Sequence, residues 1–129
     1  MAKVDLGVVK DIPVTLFSGD ATGNVTLSET SANFSKIEIL YEGYNGRSPC
    51  TLTVYNPNGK NISLSIVEDV NNSAGGVRLR RTSYNISGTS ISLASGSTFF
   101  PGFTEIKCTT ITENVSGNVI HITKVYGYR

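Results

Sequence analysis

The chain has 129 residues, a formal net charge of +1 and only 16% charged residues. That length fits one domain, able to bury roughly two-thirds of its unfolded surface without a metal or disulfide staple. A near-neutral chain has no long-range field to gather phosphate backbones or anionic lipid, so nucleic acid and membrane surfaces are poor partners for it.

Residues 1–10 read as a polar lead-in segment without a clear period, and residues 11–129 as a single β domain. Ile12–Phe17 begins the first strand, with Pro13 tolerated only near a strand start or a sheet edge. Ser18–Asn24 carries turn chemistry through Gly19 and Gly23, and Val25 and Leu27 mark a short second strand. The stretch Glu29–Phe34 has room for one helical turn. Phe34, Ile37, Ile39 and Tyr41 then alternate along a third strand, Phe34–Glu42. Gly43–Pro49 is a loop in which Asn45-Gly46 is a strong turn signal.

Cys50, Leu52 and Val54 define the inner face of the next strand, which ends at Asn56-Pro57-Asn58-Gly59. Ile62, Leu64 and Ile66 return on the far side, so these two strands are expected to pair as a hairpin. Further strands are expected at Val77–Ile86, Ser90–Ala94, Thr104–Thr112 and Asn118–Tyr126. Seven to nine strands at about ten-residue spacing, with no helical period, predict an all-β antiparallel sandwich or jelly roll. Ser, Thr and Asn make up about a third of the chain, which supplies solubility through hydroxyls and amides in place of charge.

Cys50 and Cys108 lie in predicted strands far apart in sequence. Two buried free thiols or a cross-strand disulfide are both compatible with that spacing, and neither suggests a metal. No apolar run at the N-terminus resembles a signal peptide, and none approaches the length of a membrane span, so synthesis in a cytoplasm is expected. The six Asn-x-Ser/Thr sequons are read as a consequence of composition.

Catalytic chemistry has little support. His121 is the only histidine, alternates with Val119 and Thr123 on a strand, and accompanies no nucleophile elbow. Glu38 and Glu42 share one strand face but read as a solvated pair, not as an acid and base across a cleft. Glu68-Asp69 with Asn71 and Asn72 lacks the order of a calcium loop, and no cofactor or metal is expected. Arg78 and Arg80 share one face while Arg81 takes the other, which suits an ion-paired face or a subunit contact.

Aromatic residues carry the stronger signal. Phe99-Phe100-Pro101-Gly102-Phe103 places three rings where Pro101 and Gly102 interrupt a regular strand, and exposed rings stack on sugar faces or bury in a partner. Tyr44, Asn45 and Arg47 form a second ring-and-amide candidate. Tyr126 and Tyr128 are read as packing or interface residues, and Val119 and Val125 as outward apolar positions available to a partner.

The ending Ile120-His121-Ile122-Thr123-Lys124-Val125-Tyr126-Gly127-Tyr128-Arg129 follows an Ile-x-Ile-x-Lys-x-x-Gly-Tyr-basic pattern. With the opening Ala2–Lys10 and the segment Tyr55–Lys60, it resembles phage and prophage tail-fibre or minor structural proteins. No collagen-like Gly-x-y segment follows the opening, so the resemblance implies a bare receptor-binding head domain. It implies a non-enzymatic tail-fibre, baseplate or head-fibre module, a homo-oligomer and most simply a homotrimer. Its partners would be other virion proteins and host-surface saccharide, and its location the virion. The other expectation is a monomeric carbohydrate-binding module or lectin-like protein using the same aromatic loops.

Overall fold

The computed structural model describes residues 12–43, 48–69, 77–94, 102–103, 111–112 and 120–129. Among them ten strand segments run in order: β1 Val14–Ala21, β2 Val25–Thr26, β3 Lys36–Glu42, β4 Cys50–Tyr55 and β5 Asn61–Asp69, then β6 Val77–Ser87, β7 Ser90–Leu93, β8 Gly102–Phe103, β9 Ile111–Thr112 and β10 His121–Tyr128. A single 3-10 turn, Ser31–Asn33, falls where the sequence allows one, with Thr30 as its N-cap accepting from the Ala32 N–H.

The strands form two antiparallel sheets. One has the order β1-β10-β3-β4, and in the other β6 pairs with β5, β7 and β8, with β2 and β9 outermost. Tyr84 and Asn85 pair with β5 and β7 at once, and Val77 and Arg78 pair with β5 and β8. A strand has only two edges, so β7 and β8 share the edge of β6 opposite β5. Both sheets are therefore four positions wide, and the all-β antiparallel sandwich read from the sequence is the observed architecture.

Alternation fills the interior. Leu16, Ile37, Ile39, Tyr41, Val54, Ile122 and Val125 from the first sheet meet Val25, Leu64, Ile66, Tyr84, Ile86 and Ile91 from the second. β3 shows the period most cleanly, with Ile37, Ile39 and Tyr41 buried between half-exposed neighbours.

Four sequence expectations need correction. The first strand does not stop at Phe17: Ser18–Ala21 stays paired with β10 through register irregularities between Thr15 and Phe17 and between Ser18 and Ala21. The third strand begins at Lys36, because Phe34 closes the 3-10 turn.

The strands flanking Asn56–Gly59 are not a hairpin. β4 pairs with β3 and β5 with β6, so the turn carries the chain from one sheet to the other. The inner faces of β4 and β5 both point at the core from opposite layers, which edge-to-edge pairing would forbid. Val125 is fully buried, not outward. Thr123 is an extra residue between the pairs Ile122↔Tyr41 and Lys124↔Leu40. This bulge shifts the inward positions from Ile120 and Ile122 to Val125 and Gly127. Val119, and most of the expected strand Thr104–Thr112, lie outside the described residues.

Candidate functional site

None of the loop candidates is assembled within the described residues. Tyr44, Asn45, Arg47, Phe99 and Phe100 lie outside them, and Phe103 is placed only by its backbone in β8, opposite Val77 and Ile111. Cys50 is a free, half-buried thiol whose Sγ lies 3.2 Å from the Ser48 carbonyl oxygen, while Cys108 lies outside. His121 faces outward with Nδ1 2.7 Å from Asp20 Oδ1, an arrangement with no nucleophile in it.

The structure instead gathers chemistry-bearing residues on the outer face of the β1-β10-β3-β4 sheet. Outward positions on neighbouring strands fall into rows because the register aligns them. One row reads Tyr128, Lys36, Tyr55 across β10, β3 and β4. The next reads Thr15, Tyr126, Glu38, Thr53 across all four strands. A third reads Ser18, Lys124, Leu40, Thr51.

In the first row the Lys36 ammonium lies 4.9 Å from the Tyr128 ring centroid and 6.0 Å from that of Tyr55, within reach of cation–π attraction. Tyr128 OH donates to Glu38 Oε1 at 2.7 Å, tying the first row to the second. That hydrogen bond to the carboxylate, ahead of its modest desolvation, holds the Tyr128 phenol above its ordinary pKa of 10.0. Tyr55 is 63% exposed and presents the most open ring of the face. Tyr55 and Tyr128 stand two strands apart, or about 10 Å at the usual strand spacing.

One end of this face is braced from below. Arg129 makes a two-pronged contact with Glu29, Nη1 to Oε2 at 2.7 Å and Nη2 to Oε1 at 3.0 Å, with its guanidinium over the Phe34 ring. Asn33 Nδ2 donates to the same carboxylate, and Arg129 and Asn33 together hold the Glu29 carboxyl below its ordinary value. The corner between the sheets is fastened at the same end. Asn58 Oδ1 accepts from Gly88 N–H at 2.8 Å and from Ser31 Oγ at 3.3 Å, and Gly59 N–H donates to the Ile86 carbonyl.

Sequence reading named Tyr126 and Tyr128 for packing or contact and did not connect them with Lys36, Glu38 or Tyr55. Even spacing along β3 and β10 puts each pair on one face. The lateral alignment, however, depends on the Thr123 bulge, which no local motif announces. Chemically the face offers phenol rings for stacking on the C–H faces of a sugar, and a carboxylate, an ammonium and threonine hydroxyls for its hydroxyl groups. No family model matches the sequence, and no curated protein matches it.

Proposed function

We propose that this chain is a non-enzymatic virion structural module of the tail-fibre, baseplate or head-fibre kind that binds host-surface saccharide. Its ligand platform is the outer face of the β1-β10-β3-β4 sheet. The observation that carries the reading is the row Tyr128, Lys36, Tyr55 backed by Tyr126 and Glu38. An exposed surface of phenol rings, hydroxyls and balanced single charges suits a neutral polyhydroxylated ligand better than an ionic one. The virion setting is supported by the chain's ending, since the Tyr126-Gly127-Tyr128-Arg129 segment that resembles tail-fibre proteins also builds and braces this face. Against catalysis by the two strand carboxylates stands the engagement of Glu38 by Tyr128 on an open face.

The second reading, a monomeric carbohydrate-binding or lectin-like module, would use the same rings. Screening the purified chain against immobilised bacterial surface glycans, followed by titration of any hit, tests the platform. Tyr55→Ala and Tyr126→Ala should each weaken binding by about three- to tenfold, as loss of one aromatic contact does. Unchanged binding in both variants, with loss on Tyr44→Ala or Phe100→Ala, would move the site to the loops and overturn the sheet-face assignment.

A further inference from the structure

We infer that β4 is a docking edge for a second copy of this chain. The two β4 strands would pair antiparallel about a two-fold axis at Thr53 and join two sheets into one. The inference is independent of any saccharide and rests on the backbone geometry of that edge.

Asn56 N–H donates to the Ser35 carbonyl at 2.8 Å, in register with the β3–β4 ladder. In an antiparallel ladder hydrogen-bonded pairs recur at every second residue. Cys50, Leu52 and Val54 therefore bond to β3, and the N–H and C=O groups of Thr51, Thr53 and Tyr55 point away from it. Among the described residues no other strand takes them. Among the described residues, Lys60 caps the Tyr55 carbonyl at 2.8 Å, and no side chain covers those of Thr51 and Thr53.

Exposed strand edges are usually blunted by bulges, charge or brevity. The opposite edge of the same sheet, β1, has two register irregularities and carries Asp20. β2 and β9 are two residues each. On β5 the outward carbonyls of Ser65 and Val67 already accept from Tyr41 OH and Ser48 Oγ, and the strand ends in Glu68-Asp69. β4, Cys-Thr-Leu-Thr-Val-Tyr, has no charge, proline, glycine or bulge.

The edge is also self-complementary. With the axis at Thr53, that residue faces its own copy, Thr51 faces Tyr55 of the second copy, and about four backbone hydrogen bonds form without displacing Lys60 from the Tyr55 carbonyl. Threonine pairs are favourable cross-strand neighbours, and no like charges meet within the strand. Beside this edge an open groove of about 430 Å³ is lined by Leu52–Tyr55 and Lys60–Ser63. There Leu52 and Ile62 are only partly buried against the core. A second copy would cover both, and the two tyrosine faces would become one continuous platform.

Light scattering on the full chain over a concentration series tests the pairing. The expected result is an even-numbered assembly that dissociates on dilution, retained by Thr53→Val. Thr53→Lys places two ammonium groups on the axis and should raise the dissociation constant at least about tenfold while leaving the melting of the monomer unchanged. In a Cys50→Ser/Cys108→Ser background, Thr53→Cys should be joined to its own copy by a short bifunctional thiol cross-linker, because the paired Cα atoms of the two copies would lie about 5.5 Å apart. Thr51→Cys, which faces residue 55, should not. A strict monomer, an assembly that is only trimeric, an indifferent Thr53→Lys, or no cross-link at residue 53 would each overturn the inference.

Discussion

Gly127 has no room for a side chain. A methyl group there would lie 2.6 Å from Phe34 Cδ1 and 2.9 Å from Leu16 Cδ1, both belonging to buried rings or chains of the core. The glycine in the chain's closing pattern is thus a packing requirement of the 3-10 turn resting on β10. Gly127→Ala should destabilise by about 1–3 kcal/mol, the usual cost of overpacking, seen as a lower denaturation midpoint in urea. Tyr84 presents the opposite case. It is fully buried, its hydroxyl has no partner among the described residues, and burial pushes its phenol up to about 12.

A folded-state pKa above the unfolded value means stability is intact below about pH 10 and falls as pH rises from there towards 12. Tyr84→Phe should cost nothing at neutral pH, stabilise by up to about 1–2 kcal/mol, and flatten that alkaline loss. Chemical denaturation at pH 7 and pH 11 measures both. The Glu29–Arg129 contact titrates at the other end. Its carboxyl is held below 4.5, so its contribution is present above that pH and fades as acid protonates it. Glu29→Gln should therefore lower the melting temperature at pH 7, and its difference from the parent protein should shrink as the pH falls below 4.5.

At the scale of elements, the corner Asn56–Gly59 and strand β10 decide the architecture. Asn58→Ala removes the acceptor shared by Gly88 N–H and Ser31 Oγ and should cost about 1 kcal/mol, measured by urea denaturation. Its turn residues were plain in the sequence, yet they do not say whether the strands they join lie side by side or in opposite sheets. That outcome is set by β4 finding β3 and β5 finding β6, a matter of distant partners. The alternation of Ile37, Ile39 and Tyr41 was legible because β3 runs without interruption. In β10 the same alternation misleads beyond Thr123, since one inserted residue turns Val125 from surface to core. The site was less legible than the fold for the same reason: Lys36, Glu38, Tyr55, Tyr126 and Tyr128 come from three strands and meet only through that register.

For the whole molecule, low charge and hydroxyl-rich strands leave a few rings and the sheet edges as the distinctive features of the described surface. The two proposals make one surface: a platform on the outer face, continued across the β4 edge into a second copy. The most direct test of the platform is a chemical-shift map of backbone amides during titration with the saccharide that binds tightest in a glycan screen. The account predicts perturbations concentrated at Lys36, Glu38, Thr53, Tyr55, Tyr126 and Tyr128. Perturbations confined to the other sheet or to residues 44–47 and 95–101, or the absence of any binding saccharide, would contradict it.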